Sequence, residues 1–187
     1  MIELLTVADV PHDVALSRSV HWPDTEADWR ALHAGARVLG IRSNGKLVAH
    51  GALGDYGVAA TLAKMVVAPE QQRRGLGAKL LDALLTHADE RGIPVGLCAT
   101  DQGRPLYEKR GFVESGRLVI FTGSPTPKAE SGLGDVAALD VATAVELDRR
   151  FSGCDRSRML VARLADAHAG FVLRVPGEVG FGMVTQQ

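Results

Sequence analysis

Two cysteines in 187 residues, Cys98 and Cys154 in separate segments, are too few for a disulfide framework or a cysteine-rich zinc site. Aromatic residues make up only 5% of the chain, which leaves no stacking platform for nucleic-acid bases. Neither sign of charge dominates. A formal net charge of −1, with lysine and arginine spread along the chain, removes any global attraction to nucleic acid or an anionic membrane. No apolar run is long enough to span a bilayer, and the opening MIELLTVADVPHD lacks the charged-then-apolar layout of a signal peptide. These absences lead us to expect a cytoplasmic protein that binds neither nucleic acid nor membrane. The chain is well supplied with apolar residues, at 46%, enough for a core in one domain or a domain and a fraction.

The most informative stretch runs from Thr61 to Gly92. It reads as an apolar strand, a glycine-rich loop and an amphipathic helix. Leu76, Leu80, Leu81, Leu84, Leu85 and Ala88 form one stripe at helical spacing. Arg91 and Gly92 fit the helix end, a cation in the last turn and a glycine past it. Between strand and helix stands Gln72-Arg73-Arg74-Gly75-Leu76-Gly77. Glycines there let a ligand approach the backbone, and the unpaired N–H groups of a helix's first turn attract phosphate.

Val67 to Gly77, read as V-x-P-x-x-Q-R-R-G-L-G up to the variable positions, resembles the acetyl-CoA-binding signature of the GNAT superfamily of N-acetyltransferases. Leu106-Tyr107-Glu108-Lys109-Arg110-Gly111-Phe112 is similar to that family's L-Y-E-K-x-G-F segment. The resemblance implies a GNAT fold and acetyl-CoA as cosubstrate, with no metal. It implies that Met65, Val66 and Val67 hold the pantetheine arm through their backbone. Gln72, Arg73, Arg74, Gly75, Leu76, Gly77 and Ala78 would hold the pyrophosphate. Tyr107 would be the acid that protonates the departing thiolate, since an ordinary tyrosine keeps its proton to a pH of about 10.

Two departures from the family pattern bear on the chemistry. Thr100 stands where many members have asparagine, and is expected to offer the pantetheine or a water a hydrogen bond. Ala63, beside Lys64, stands where many have a basic glutamate, so no general base carries over. Replacements would come from Asp55, His50, His33, His21 or Glu26; histidine suits the task, with an ordinary pKa of about 6.5. Trp22 is expected to line the acceptor pocket or to pack in the core. Cys98 is expected to be a small core residue on a buried strand.

The pattern of elements gives an α/β (α+β) fold with a mixed, mostly antiparallel central sheet flanked by helices. Strands are expected at Ile2–Val7, Arg37–Arg42, Lys46–Leu53, the organising strand and Ile93–Thr100, with a final hairpin from Phe112 to Phe121. Helices are expected at Val14–Val20, after Asp24 or Thr25, over the leucine stripe, and at Gly103–Arg110. Ser43-Asn44-Gly45 supplies a tight hairpin turn. Residues 1–121 form the expected acetyltransferase domain. Residues 122–134, rich in Pro, Gly and Ser, read as a linker. Residues 135–187 echo the start of the chain, with Leu139-Asp140-Val141-Ala142 matching Leu5-Thr6-Val7-Ala8, and read as a partial, degenerate GNAT-like unit without a second glycine loop.

The expected activity is transfer of an acetyl group from acetyl-CoA to a primary amine, on a small molecule or a protein, by direct attack. A catalytically silent coenzyme-binding sensor and an acyltransferase for longer acyl-CoA are the alternatives. An exposed half-sheet in the second unit makes a homodimer an expected partner arrangement.

Overall fold

The computed structural model describes residues 1–119 and 134–185. Its first sheet has five strands in the order β1 (Ile2–Leu4), β2 (Arg37–Ser43), β3 (Lys46–Asp55), β4 (Ala60–Val67) and β5 (Val95–Leu97). All neighbours are antiparallel except β4 and β5, which run parallel. The expected mixed, mostly antiparallel sheet is therefore present.

Helices α1 (Val10–Ser19) and α2 (Glu26–Gly35) cover one face of this sheet, α3 (Leu76–Arg91) covers the other, and a short helix α4 (Arg104–Glu108) follows β5. Strand β3 shows the division through the alternation of its side chains. His50 meets Asp13 of α1, while a Cβ on neighbouring Gly51 would meet Leu80 and Leu84 of α3. Trp29, Leu53, Leu80, Leu81 and Leu84 are fully buried, each contributing about 1.5–3 kcal/mol by leaving water.

Local sequence explains the element ends. Thr25 caps α2 through a reciprocal box: its hydroxyl accepts from the Asp28 N–H at 3.2 Å, and Asp28 accepts from the Thr25 N–H at 2.9 Å. Asn44 and Gly45, at φ of 50° and 77°, make the β2–β3 turn. Gly92, at φ of 62°, ends α3 in the left-handed conformation.

Several expected boundaries are corrected. Helix α1 starts at Val10, four residues earlier than expected, because Pro11 sits in the first turn, where its missing N–H costs no bond. Strand β1 stops at Leu4 and a 3-10 turn follows at Val7–Asp9. Strand β5 has three residues rather than eight, so Cys98 lies beyond it and is exposed, not a core residue. The described part of the expected hairpin, residues 112–119, forms no strand, and Val113, Leu118 and Val119 are exposed. Phe121 and residues 122–133 of the expected linker lie outside the described residues.

After Gly134, a strand β6 (Asp135–Ala138), helices α5 (Val141–Ser152) and α6 (Ser157–Ala165), and strands β7 (Ala169–Val175) and β8 (Glu178–Val184) form a second, three-stranded antiparallel sheet with its helices. Asp140 caps α5, accepting from the Thr143 N–H at 2.9 Å. The order strand, two helices, hairpin is that of β1, α1, α2, β2 and β3. The two sheets are joined through α2 and α6, where Gly35 allows close approach: a Cβ there would lie 2.9 Å from the Met159 Cβ. Arg163 of α6 pairs with Asp28 of α2.

Candidate active site

Strand β4 is bonded to β5 only at Ala60, Thr61 and Leu62. Beyond Leu62 the two strands part, because β5 ends at Leu97. The edge of β4 from Ala63 to Val67, which includes Met65, Val66 and Val67, thus has no strand partner on that side. On its other side β4 carries a bulge. The register with β3 shifts between His50, opposite Val66, and Ala52, opposite Ala63. Lys64 takes up the extra residue at φ of 54°, a left-handed conformation unusual for a lysine.

The glycine loop comes next. Gln72 is anchored by its amide, which donates to the Val67 carbonyl at 3.1 Å, and Gln102 donates to the Gln72 side-chain oxygen at 3.3 Å. Arg73, at φ of 60°, and Arg74 are exposed, and Arg74 donates to Gln71 at 2.6 Å. Gly75 precedes α3 at φ of 77°, and no side chain caps the helix. A Cβ at Gly75 would meet nothing within 4 Å, so glycine is required there by conformation, and the space above it is open to a ligand. Leu76, Gly77 and Ala78 supply the first-turn N–H groups. An open cradle, uncapped N–H donors and two cations fit a diphosphate group, and the free β4 edge fits an amide-bearing arm.

Tyr107 lies on the short helix α4 (Arg104–Glu108), its ring edge-on to Phe112 with centroids 5.9 Å apart. Burial pushes its phenol above the ordinary tyrosine value, so it holds its proton at neutral pH. Thr100 accepts from the Gly103 N–H at 3.2 Å through its hydroxyl oxygen, which leaves the hydroxyl proton free to donate. Arg110 fastens this segment to α3 by a forked bond to Asp82, one arm of which is 3.0 Å.

The candidate bases are scattered. Asp55 is held by His87 at 3.2 Å and Arg91 at 3.3 Å. Glu26 pairs with Arg30 on the α2 surface, and His21 is exposed at φ of 62°. His33 and His50 are brought together by Asp13, a residue outside every motif of the sequence. The Asp13 carboxylate meets His50 Nδ1 and His33 Nε2, each at 2.9 Å. Burial works to raise Asp13's pKa, but the two imidazole hydrogen bonds and charges outweigh it and hold the carboxyl below the ordinary value. One local signal does mark it: Asp13 shares the buried helical stripe with Val10, Val14 and Ser17, where a carboxylate requires partners. Trp22 lies against Lys64, whose ammonium sits 5.7 Å from the ring centroid and pairs with buried Asp24.

Residues 21–127 match the acetyltransferase (GNAT) domain family. The chain belongs to the GNAT acetyltransferase family. It is 28% identical over 183 residues to the uncharacterized N-acetyltransferase YitH of Bacillus subtilis, in an alignment covering 87% of this chain and 64% of that protein. The chain thus spans less than two thirds of that relative's length. A Pyrococcus horikoshii protein assigned as an acetyltransferase superposes with a TM-score of 0.73 at 25% identity, covering all of this chain and 71% of the other. A predicted acetyltransferase of Clostridium acetobutylicum, solved with acetyl-CoA, shares the fold, with a TM-score of 0.55 at 18% identity over 65% of this chain and 95% of that one. Among the described residues no group of side chains is arranged to hold a metal ion, and no helix is long and apolar enough to cross a membrane.

Proposed function

We propose that this GNAT protein transfers an acetyl group from acetyl-CoA to a primary amine. The observation that carries the reading is the parting of β4 from β5 beside the uncapped N-terminus of α3. In this reading the backbone of Met65, Val66 and Val67 holds the pantetheine arm. Gln72 to Ala78 hold the pyrophosphate, with Arg73 and Arg74 adding charge. A backbone N–H at the Lys64 bulge polarises the thioester carbonyl. Tyr107 gives its proton to the departing sulfur, and Thr100 donates to the arm or to a water. Residues 1–121 act as the catalytic domain, and residues 135–187 as a degenerate half unit of the same kind.

Titration of the purified chain with acetyl-CoA and with free CoA tests the binding step by calorimetry. Thiol release over a panel of amines tests transfer. Gly75→Val should weaken coenzyme binding about tenfold, since a β-branched residue resists positive φ by about 1–2 kcal/mol. Tyr107→Phe should lower turnover by about a hundredfold and leave coenzyme affinity unchanged. Unchanged affinity in the first variant would overturn the loop assignment. Unchanged turnover in the second would remove Tyr107 from the chemistry. The absence of any acidic residue between Ala60 and Val67 favours a second reading, a silent coenzyme-binding sensor, which predicts binding without thiol release.

A further inference from the structure

The α1–α2 side of the bulged strand holds two polar atoms with no hydrogen-bond partner among the described residues: Asp24 Oδ2 and His50 Nε2. Both side chains are more than nine-tenths buried, at 7% and 0% exposure. Leaving such atoms unpaired costs free energy unless a ligand or water completes them. Their chemistry is the same. Asp13, as a carboxylate, can only accept, so the imidazole nitrogens facing it must carry the hydrogens. His50 therefore donates from Nδ1. Burial is the largest influence on its pKa and, despite Asp13 and Asp24, keeps it below the ordinary histidine value. A neutral ring with its proton on Nδ1 leaves Nε2 as a bare lone pair. Asp24 Oδ2 is likewise an acceptor. Two acceptors cannot satisfy one another; they need a donor with at least two hydrogens between or beside them.

Resting on the acetyltransferase reading above, we infer that Asp24 and His50 form the seat of the acceptor amine, Asp24 Oδ2 binding its ammonium and His50 Nε2 taking its proton. Asp24 already shows this preference, since its other oxygen holds the Lys64 ammonium, which also lies over Trp22. The pair adjoins the bulge: His50 stands opposite Val66 in the β3–β4 register, and Lys64 is the bulged residue itself. The proton balance closes. His50 takes one proton from the ammonium, leaving a neutral nitrogen whose lone pair forms the C–N bond as the C–S bond breaks. The sulfur receives a proton from Tyr107, which regains one from the second N–H, and His50 returns its own to water when the product leaves. The groups facing His50 are Asp13, Asp24 and Lys64, with His33 on the far side of Asp13.

The test uses histidine-ring nitrogen NMR on the full chain, with propylammonium as probe and tetramethylammonium as the cation that lacks N–H. Propylammonium should shift the His50 Nε2 resonance saturably, and tetramethylammonium should not. Asp24→Asn should weaken the propylammonium response at least tenfold while the Nδ1–H signal to Asp13 stays in place. Asp24→Glu, which keeps the charge, should restore part of it. An equal response to both cations, or no response by folded protein, would overturn the inference. Calorimetry with acetyl-CoA on the same samples separates the two readings: intact coenzyme binding with no amine response removes only this seat, and loss of coenzyme binding in wild type removes the acetyltransferase reading. For a coenzyme-active protein, a His50→Gln variant that stays folded should lose the acidic limb of the kcat/KM profile, and an unshifted limb would exclude His50 as the base.

Discussion

Residues 2–55 and 135–184 pass through the same sequence of elements, yet they bury their sheets very differently. In the first, eight consecutive residues of β3, Leu47 to Gly54, are buried. In the second, β8 has no fully buried residue, and β7 has one, Val172. The difference traces to the elements beyond each hairpin. The first hairpin continues into β4 and α3, so its sheet gains a neighbour on its edge and a helix on its second face. The second has helices α5 and α6 and, among the described residues, nothing like α3. A strand becomes wholly apolar only when both faces are covered; otherwise alternate residues face water. Phe171 and Val184 accordingly remain exposed.

The sharpest way to break this contrast is to cut into its cause. Leu84→Ala on α3 should cost the part of the chain built on the first sheet about 2–5 kcal/mol, the range for emptying a packed leucine site. Both tryptophans, Trp22 and Trp29, lie in the first unit, so denaturant unfolding followed by their fluorescence reads that unit directly. Val172→Ala in the second sheet should cost roughly 1–2 kcal/mol, from two lost methyl groups at about 0.8 kcal/mol each. If the two substitutions cost the same, the second sheet is as well supported as the first.

Acid should act on the first unit before the second. His50 has a folded pKa below its ordinary 6.5, so the unfolded chain binds the proton first and stability falls as pH drops below about 6.5. Asp13, held below 3.8, adds a loss only at lower pH, as its folded carboxylate is protonated. Tryptophan-monitored stability between pH 7 and 5 should therefore decline with a slope that His50→Gln removes; a slope unaltered in the variant would assign it to another group. The smallest effect is expected at the joint. Arg163→Ala, breaking a partly exposed ion pair with Asp28, should cost about 1 kcal/mol or less and matter less still at high salt. A loss of several kcal/mol would make the joint a larger part of the fold than its exposed charges suggest.

The sequence discloses those features whose causes are local. Thr25 and Asp28 form their capping box within four residues, Asn44-Gly45 forces its own turn, and Gly75 and Gly92 sit where backbone conformation demands glycine. Cys98 is misplaced by its apolar surroundings because β5 parts from β4 after Leu97, a property of the sheet and not of the apolar run itself. The Asp13 cluster is hidden for a related reason: its partners are 20 and 37 residues away, and only the packing of α1 and α2 on β3 brings them together. The bulge at Lys64 also has no local mark, since lysine is a poor choice for positive φ and is kept there by the strands around it.

The joint between the halves is made chiefly by the second helix of each, α2 against α6, with Gly35 drawing them close and the Asp155 N–H donating to the Tyr56 carbonyl at 3.4 Å beside them. Such a contact between separate molecules would come apart on dilution. Here one polypeptide carries both sides, and the local concentration of each helix for the other is set by the connecting chain. The pairing is thus unimolecular, and its occupancy should be the same at nanomolar as at millimolar protein.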